Sequence, residues 1–553
     1  MWAVVCWIVL FWELGSPALM DPDEAHYAQL TREMLQAGNW MIPLLDGLPY
    51  IDKPVLFHWL QGAAVAVLGE TEAAMRLPSA IGAVALFWLT WWTGARLFED
   101  RVGNRAWLML ATMPLTFLLG SIGLFDMVFT AFLFGAIAVG LVAALRKRHR
   151  LQYASYVLLS LAVMTKGPVA LVLAGAFFLA GLACGAECRT ALLSLRWKTG
   201  ATLTIALSLP WFLWMYYALG WHFVHQYALA GNLYYITQPD SFSNRGYNHT
   251  LYLFTFLGGF FPWSILAFGA AIDAMRRHRM KLTLPAEEKL LWVWCAVVFV
   301  VFSIARFKVD RYVYPAAPAF CLLAARAWLS VSVLRPNVAI ARDNIAARWS
   351  IAFLGIVLVG ASVLGGFQLF NLGLSLPRLA MLVPVTLAVA GSILTLSILR
   401  RRAVSRLVFG TVLVTLLIIY GIAVTVGVPM LEHARPTAAV ADDLRPQLTE
   451  DDKVGLYRLE QWRFSLRYYL ERPVSRLQHP NDVHEFFRKS SGYVLMLDED
   501  FARLRDDHGV KLRCVSERPA VIGTSGRGLR RQKWGALVVA TLDDTPRLTD
   551  TVR

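Results

Sequence analysis

Charged residues are scarce in this chain: they make up 16% of its 553 residues, whereas hydrophobic residues make up 57%. Soluble globular proteins carry about 25% charged residues, so this composition excludes an ordinary soluble enzyme. Apolar runs of about 20 residues recur along the chain, and a helix needs that length to cross a bilayer. The sequence therefore predicts a helical protein that crosses the membrane many times.

Nucleotide-binding motifs are missing too. The sequence contains no P-loop and no Rossmann glycine fingerprint, and it has no internal repeats or low-complexity tracts. The absent glycine motifs argue against nucleotide-sugar chemistry in a soluble fold. The absent repeats argue against a transporter built from paired halves.

Cysteine is rare as well, with six residues, most of them in apolar segments. Only Cys514 falls in the polar tail, so no disulfide framework is expected. Cys184 and Cys188 are one helical turn apart. A second pair or a nearby histidine that would complete a zinc site is missing.

The net charge of +15 comes mainly from basic clusters between apolar runs. We interpret these clusters as topology signals rather than as a nucleic-acid surface, and the positive-inside rule assigns them to the cytoplasm. Six clusters share this position: Arg96, Arg101 and Arg105; Arg146, Lys147, Arg148 and Arg150; Arg189, Arg196 and Lys198; Arg276, Arg277, Arg279 and Lys281; Arg335, Arg342 and Arg348; and Arg400, Arg401, Arg402 and Arg406.

The apolar runs predict thirteen membrane spans. The first covers about residues 1–19 and is expected to be retained rather than cleaved as a signal peptide, because it lacks a basic flank. The others are expected near residues 79–97, 106–121, 124–145, 153–165, 167–184, 201–219, 251–273, 289–305, 312–330, 350–369, 379–399 and 407–428. The apolar segment 55–68 is too short to span and is expected to be an interfacial or re-entrant helix. An odd number of spans with a cytoplasmic start places the tail outside.

The chain is expected to divide into a membrane domain, residues 1–429, with external loops 20–78 and 220–250, and a periplasmic α/β domain, residues 430–553. About 120 residues suffice for such a small domain. Its strands are predicted at Val454–Tyr457, Val474–Leu477, Tyr493–Leu497, Leu512–Val515 and Ala536–Thr541, and its helices near 461–471, 482–489 and 499–507.

The stretch from Asp21 to Trp59 is an acid-rich polar island directly after the first apolar run. Asp21 is expected to cap a helix that begins with Pro22, with Glu24 completing a capping box. Gly38 is expected to end this helix. The cap does not need Asp23, which makes that carboxylate a candidate for chemistry.

Two ionisable groups lie at the predicted outer ends of spans, where a charge is costly unless it faces a cavity or a partner. Asp126 begins one span, and Lys166 lies in a short external turn. Both are functional candidates. The structural alternatives are a solvated helix end for Asp126 and a snorkelling side chain for Lys166.

The loop Ala305–Pro315 is external in this topology, yet it holds Arg306, Lys308 and Arg311 against one acid, Asp310. A loop that departs from the positive-inside pattern needs another reason for its cations. Binding a phosphate is the reason that we expect. The alternative is that Asp310 pairs with one of these cations, which still leaves two of them over. Lys53, close to the predicted membrane surface, suits a lipid phosphate for the same chemical reason.

Four short motifs in the first loop resemble those of a known enzyme family. They are Asp23-Glu24-Ala25-His26-Tyr27-Ala28, Arg32-Glu33-Met34, Gly38-Asn39-Trp40 and Gly47-Leu48-Pro49-Tyr50-Ile51-Asp52-Lys53-Pro54. They resemble the first external loop of polyprenyl-phosphate-sugar-dependent membrane glycosyltransferases of the C-type superfamily. These enzymes are related to protein O-mannosyltransferases that use dolichyl- or undecaprenyl-phosphate mannose, and they include the aminoarabinose transferases that modify lipid A.

The resemblance implies an all-α polytopic membrane protein of about thirteen helices with the C-type glycosyltransferase fold, followed by the small α/β domain. It implies Asp23, Asp126 and Glu24 as catalytic residues, and Lys53, Arg306, Lys308, Arg311, Tyr312 and Tyr50 as the donor phosphate-binding set. Lys166, Arg245 and His58 are further candidates for substrate contact. No cofactor is assigned. A divalent metal is left open, with Asp52 as its candidate ligand, because relatives carry a Glu-His pair where this chain reads Ala230-Gly231-Asn232.

The function expected on these grounds is a pentosyl or hexosyl transfer from a polyprenyl-phosphate donor to an envelope acceptor, at the periplasmic face of the bacterial inner membrane. A lipid A-type glycolipid is the first candidate acceptor, and a protein or another glycan is the alternative. Membrane lipids are expected partners and nucleic acid is not. The competing hypotheses are a transporter or flippase for a lipid-linked sugar and a membrane sensor whose tail binds a partner.

Overall fold

The computed structural model describes residues 1–233, 250–332, 345–371, 378–399, 406–522 and 533–543. It is mainly helical, with a small sheet in the C-terminal part. The helices are α1 Trp2–Cys6, α2 Asp23–Gln36, α3 Leu56–Leu68, α4 Glu72–Leu97, α5 Asp100–Ala111, α6 Pro114–Ser121, α7 Phe125–Leu145, α8 Leu151–Lys166, α9 Val169–Ala183, α10 Ala186–Leu193, α11 Trp197–Leu219, α12 Trp221–Phe223, α13 Leu251–Phe254, α14 Trp263–Arg279, α15 Ala286–Ile304, α16 Ala317–Ser332, α17 Ile345–Asn371, α18 Leu382–Leu399, α19 Arg406–Ile422, α20 Val428–Ala434, α21 Thr437–Leu444, α22 Arg463–Leu470, α23 Pro480–Lys489 and α24 Asp498–Asp506. The strands are β1 Leu44–Leu45, β2 Leu48–Pro49, β3 Lys453–Tyr457, β4 Val474–Leu477, β5 Gly492–Leu497, β6 Leu512–Ile522 and β7 Lys533–Leu542.

Within the described ranges, six helices are long and apolar enough to cross a membrane, and a pair bent by 112° would make a seventh. They are Glu72–Leu97, Phe125–Leu145, Trp197–Leu219, Ile345–Phe367, Leu379–Leu399 and Leu407–Ala434, and the bent pair is Leu251–Gly259 with Trp263–Arg279. Other predicted spans form shorter helices. The run 106–121 is divided between α5 and α6, and α8 and α9 have 16 and 15 residues, below the roughly 20 that span a bilayer core. Thirteen spans therefore stay a prediction.

α7 is the most buried of these long apolar helices, because 89% of its most apolar 18-residue stretch lies inside the protein. It packs against α4 and α8. Gly82 of α4 faces the start of α7, where a Cβ would lie 3.3 Å from the Cα atom of Val128. Glycine therefore lets α4 approach the first turn of α7, which carries Asp126.

The cap predicted for the first external helix is wrong. α2 begins at Asp23, with Pro22 before it and no side-chain cap bond. Asp21 Oδ1 instead accepts hydrogen bonds from the backbone N–H groups of Phe464 at 2.9 Å and Ser465 at 3.0 Å. These residues lie in the first turn of α22, whose N–H groups have no partner within their own helix. Asp21 thus caps a helix of the C-terminal part.

The other end of α2 follows the prediction. The helix ends at Gln36, and Gly38 has a φ of 63°, the left-handed conformation that favours glycine after a helix. The chain then makes the β1–β2 hairpin, with positive φ at Asp46 and Gly47. It continues into α3, which matches the short helix predicted at 55–68.

The C-terminal part contains a five-stranded sheet in the order β4-β3-β5-β7-β6. β3 pairs in parallel with β4 and β5, and β7 pairs antiparallel with β5 and β6. All five predicted strands and three predicted helices are confirmed, with α22, α23 and α24 as the helices. One hydrophobic cluster joins this part to the first loop, because Leu19, Ala25 and Met75 pack with Leu466 and Tyr469.

Glu24 joins four segments of the membrane part. Its Oε1 and Oε2 atoms accept from Nε and Nη2 of Arg76 at 2.7 and 3.0 Å, and both side chains are 1% exposed. Glu24 also accepts from the N–H groups of Gly123 and Met20, each at 2.8 Å. Arg76 in turn donates to the carbonyl of Leu14 at 2.9 Å. The capping box predicted for Glu24 is therefore replaced by a buried ion pair.

We expect Glu24→Gln to lower the stability of the protein, because it leaves the guanidinium of Arg76 buried without its counter-charge. Breaking one side of a buried pair costs about 3–5 kcal/mol. The measurement is the apparent melting temperature of the purified protein in detergent. Glu460→Gln is the matched control, since Glu460 and Arg476 form a surface pair with both side chains about half exposed. A Glu24→Gln protein that has the melting temperature of the wild type but no activity would instead assign Glu24 to catalysis.

Candidate active site

Three segments that are distant in sequence meet at Arg311. Asp23 lies in the first turn of α2, Asp126 in the first turn of α7, and Arg311 in the 3₁₀ turn Asp310–Ala316 that precedes α16. Arg311 Nε donates to Asp126 Oδ2 at 2.9 Å, and Arg311 Nη2 pairs with Asp23 Oδ2. A carboxylate in the first turn of a helix also interacts favourably with the helix dipole.

Lys166 completes this group. Its Nζ atom donates to Asp126 Oδ1 at 2.6 Å and lies 4.5 Å from the centre of the Tyr312 ring. The Lys166 side chain is 11% exposed, so it is not a snorkelling surface lysine. Gly167 follows with a φ of 81°, and a Cβ there would lie 2.2 Å from the hydroxyl of Tyr227. This turn therefore requires glycine. We call Asp23, Asp126, Lys166 and Arg311 the charged cluster.

The charges in this cluster balance, with two carboxylates and two cations. Burial alone would lower the pKa of the Arg311 guanidinium, but the charges of Asp126 and Asp23 outweigh it and raise that pKa. Arg311 is therefore held in its charged form. Exposure distinguishes the two carboxylates: the Asp23 side chain is 37% exposed and the Asp126 side chain 8%. Asp23 is the carboxylate that a ligand reaches from outside.

Lys53 lies beside the charged cluster. Its Nζ atom pairs with Asp52 Oδ1 at 2.8 Å, and both side chains are about one-fifth exposed. A Cβ at Gly167, the residue after Lys166, would lie 3.8 Å from Cγ of Pro54, the residue after Lys53. The segment Val224–Leu233 packs over this side, since a Cβ at Gly231 would lie 3.8 Å from Asp52 Oδ1. The structure thus brings a third predicted cation to the same place.

His26 and Tyr50 form the wall of the site towards the C-terminal part. The ring centre of His26 lies 4.7 Å from that of Tyr50 and 4.5 Å from that of Phe464, both edge to face. The His26 side chain is buried, and neither ring nitrogen makes a hydrogen bond within the described residues. Phe464 belongs to α22, so the C-terminal part contributes to this wall.

Two predicted site residues lie away from the charged cluster. Glu24 is held by Arg76, as described above. His58 is buried, and its Nδ1 lies 2.8 Å from the hydroxyl of Thr31, which donates to Gln61 at 2.7 Å. These contacts favour structural roles for both, and their predicted roles in chemistry stay predictions.

The remaining cations of the basic loop lie further out. Lys308 Nζ donates to the carbonyl groups of Ser303 and Ala305 at the end of α15. Such contacts satisfy carbonyls that a helix leaves without partners. Arg306 is exposed. The roles of Lys308 and Arg306 in phosphate binding stay predictions. Arg245 lies outside the described residues.

A metal ligand set does not emerge around Asp52. Within the described residues, no group of three or more histidine, cysteine, aspartate or glutamate side chains could hold a metal ion. Asp52 itself pairs with Lys53. A divalent metal and Asp52 as its ligand therefore stay a prediction.

Sequence reasoning missed the part that α22 plays. Arg467 is buried and pairs with Glu33 Oε1 at 2.6 Å and with Asp46 of the hairpin. Together with the Phe464 ring, it anchors the C-terminal part to the loop that carries Asp23. A cation between Leu466 and Tyr468 in a predicted helix is an unusual core residue, but this pattern does not say which carboxylate it meets.

Comparisons with known proteins agree with the motif resemblance. A model of the dolichyl-phosphate-mannose-protein mannosyltransferase family matches residues 52–214. An undecaprenyl phosphate-alpha-4-amino-4-deoxy-L-arabinose arabinosyl transferase from Sodalis glossinidius is 28% identical over 409 residues, which is 70% of this chain and 68% of the relative. The transferase of the same name from Pectobacterium carotovorum is 28% identical over 374 residues, which is 66% of this chain and 64% of the relative.

The crystal structure of ArnT from Cupriavidus metallidurans bound to undecaprenyl phosphate matches 99% of this chain and 98% of its own, with a TM-score of 0.72 and 21% identity. The chain has the ArnT fold. The resemblance predicted from the first loop is thereby confirmed. Because the match to the ArnT fold extends over nearly the whole chain, it includes the C-terminal part and the four segments that form the charged cluster.

Because His26 is buried, we expect the protein to become less stable as the pH falls. Burial lowers the pKa of His26 to about 4, although the charges of Asp52 and Asp23 act in the opposite direction and those of Arg467 and Arg463 assist burial. An unfolded histidine has a pKa of about 6.5. Between these values the unfolded chain binds more protons than the folded one, so stability falls as the pH falls from about 6.5 towards 4.

We therefore expect the apparent melting temperature of the wild type to drop between about pH 7.5 and about pH 5, and His26→Phe to reduce this drop. The measurement is thermal unfolding in detergent at both pH values. His484→Phe, at an exposed position of α23, is the control and should leave the drop unchanged. An equal drop in wild type and His26→Phe would contradict the assignment.

Proposed function

We propose that this chain transfers a sugar from a polyprenyl-phosphate donor to an envelope acceptor at the outer face of a bacterial inner membrane. One observation carries the proposal: the charged cluster joins two carboxylates and two cations at one site of a chain with the ArnT fold. The relatives are named as arabinosyl transferases and the matched structure contains undecaprenyl phosphate. Aminoarabinose on undecaprenyl phosphate is therefore the first donor to test, and lipid A the first acceptor.

The cations serve the departing phosphate in this reaction. The acceptor oxygen attacks the anomeric carbon, the bond from that carbon to the phosphate oxygen breaks, and the phosphate keeps the electron pair. Arg311, Lys166 and Lys53 are placed to bind the phosphate and stabilise the charge that develops on it. Arg311 has five side-chain N–H donors, and its ion pairs with Asp23 and Asp126 use only two of them. The family resemblance implies inversion at the sugar carbon.

The carboxylates of Asp126 and Asp23 have different roles in the proposed reaction. Asp126 is buried and has a cation on each oxygen, so it positions Lys166 and Arg311. Asp23 is more exposed and is bound by Arg311 alone among the ion pairs of the described residues. A phosphate that binds Arg311 competes with Asp23 and releases it towards the acceptor. A hydroxyl acceptor needs this base to remove a proton. A phosphate acceptor is already largely ionised near neutral pH, and Asp23 then orients it.

The first test separates binding from turnover. Lys53→Ala should weaken binding of undecaprenyl phosphate by roughly tenfold to a hundredfold, because a charge-assisted contact contributes about 1.5–3 kcal/mol. Asp23→Asn should bind undecaprenyl phosphate at least as tightly as wild type, because it removes the carboxylate that competes for Arg311, and it should lose nearly all turnover, since a positioned base contributes about 10²–10⁴. Binding is measured by titration of the purified protein, and turnover by mass spectrometry of lipid A.

Arg513→Ala, on strand β6 of the C-terminal part, is the control for removal of a cation. It should change neither binding nor turnover. A folded Asp23→Asn protein with wild-type turnover would reject the proposed function of this site. A Lys53→Ala protein with wild-type affinity would reject the phosphate assignment alone.

The contacts give no support to the competing hypotheses. A transporter places ionisable groups at mid-bilayer on interrupted helices of paired repeats. Here Asp23 and Asp126 lie at helix starts, and the cluster is tied to a large external loop. A sensor would leave the charged cluster without a role.

We also propose thirteen spans with a cytoplasmic amino terminus, a membrane domain of residues 1–429 and an external domain of residues 430–553. The basic loops support this sidedness. Arg146 donates to the carbonyl of Arg96 at 3.0 Å and pairs with Glu287 at 3.3 Å. Arg96 lies in the last turn of the 26-residue α4, whose first turns carry Arg76 and contact Glu24. A helix of that length is about 39 Å long, so the loops of Arg96 and Arg146 lie at the opposite end of α4 from Glu24, the neighbour of Asp23.

Reporter fusions test this orientation. An alkaline phosphatase that folds only in the periplasm should be active when fused after residue 553 and silent when fused near residues 148 and 278, because the basic loops remain inside. A green fluorescent protein at the same positions should give the reverse pattern. A stable but inactive fusion after residue 553 would contradict the orientation.

A further inference from the structure

α22 is held against the first loop along its whole length. At its start, Asp21 accepts from the N–H groups of Phe464 and Ser465 and from the Ser465 hydroxyl. In its middle, buried Arg467 pairs with Glu33 near the end of α2 and with Asp46 of the hairpin. Polar contacts therefore fix both ends of α2 to one helix of the C-terminal part.

The contacts continue at the end of α22. Arg32 of α2 donates to the carbonyl of Tyr468 at 2.5 Å, and its guanidinium lies 3.6 Å from the centre of the Tyr468 ring. The Tyr469 hydroxyl accepts from the N–H of Leu19 at 2.7 Å and donates to Glu72 at 3.0 Å. α22 thus contacts the chain before α2, α2 itself and the start of α4.

We propose that α22 is a positioning element of the active site, which fixes the start of α2 through Asp21 and thereby holds Asp23 towards Arg311. Only Pro22 separates Asp21 from Asp23. Among the described residues, no side chain caps the start of α2, and Glu24 holds its first turn on the side of Arg76. Asp21 adds the contact of this turn with the C-terminal part. The inference rests on the proposed function, because it assigns Asp23 the role described there.

Asp21 contributes hydrogen-bond acceptors to the contact with α22. Its two oxygens accept hydrogen bonds, and burial raises its pKa against those same hydrogen bonds. Asp21 serves α22 as a hydrogen-bond acceptor. Asparagine retains an acceptor oxygen and is as good a cap as aspartate, whereas alanine retains none. Asp21→Asn therefore keeps an acceptor for the N–H groups of Phe464 and Ser465, and Asp21→Ala removes it.

The test uses the full chain in nanodiscs, with undecaprenyl-phosphate aminoarabinose as donor and lipid A as acceptor. Asp21→Ala should lower kcat by at least about tenfold, because a misplacement of about 1 Å at a reacting group costs up to about 10²-fold. Its affinity for undecaprenyl phosphate should stay within about twofold of wild type, since Lys53 and Lys166 lie on other segments. Asp21→Asn should restore kcat to within about threefold of wild type.

Asp482→Ala is the matched control, because Asp482 accepts from the N–H groups of Gln478 and His479 and caps α23 in the same part of the chain. It removes a comparable cap away from α2 and should leave kcat unchanged. Ser465→Ala provides a milder change, which should lower kcat in the same direction if Asp21→Ala does not fold.

The outcomes separate the two proposals. A folded Asp21→Ala protein with wild-type kcat overturns the positioning role, as does an Asp21→Asn protein that is as impaired as Asp21→Ala. A loss in Asp482→Ala equal to that in Asp21→Ala also overturns it, because any damage to the C-terminal part would then suffice. Wild-type turnover in Asp23→Asn overturns the proposed function instead, whatever the Asp21 variants do.

Discussion

The site depends on the bridge that Arg311 makes between Asp23 and Asp126. Each carboxylate begins a different helix, and Arg311 precedes a third, so one guanidinium sets the relative positions of α2, α7 and α16. Asp126 is buried with Lys166 on its other oxygen. Loss of either cation would leave the cluster with two carboxylates and one cation, and therefore with one uncompensated negative charge. Charge pairing therefore joins three helices at this corner of the fold.

The same balance governs what the site can bind. The charged cluster sums to zero, so a phosphate that enters it must either find another cation or displace a carboxylate. Lys53, which is paired with Asp52, is the other cation at this place. Asp23 is the carboxylate that can leave, because it is more exposed and Asp126 is held from both sides. Under the proposed function, donor binding and release of Asp23 are then one event. Asp23 would face the acceptor only when a donor is present, which limits unproductive encounters with the acceptor.

Sequence reasoning reached the members of the charged cluster but not their pairing. The sequence predicts Asp126, Lys166 and Arg311 one at a time. Each is an ionisable group at the end of a predicted span or in an external loop that departs from the positive-inside rule. The residues of a pair lie up to 288 positions apart, and spacing carries no information at that distance. The strands of the C-terminal part were predictable because period-two patterns are local. The number of membrane spans was less predictable, because helices such as α8 and α9 are apolar but shorter than a bilayer requires.

Asp21 shows the limit of local reading most clearly. An aspartate followed by proline and, three residues after it, by glutamate has the pattern of a cap for the helix that follows, yet Asp21 caps α22 and Glu24 binds Arg76. The physics of the prediction was sound, because a helix start does need an acceptor for its N–H groups. Any helix start in the molecule satisfies that rule, and only tertiary structure chooses among them. A cap given by one part of a chain to another couples the two parts, so the C-terminal part is not separable from the loop that carries Asp23.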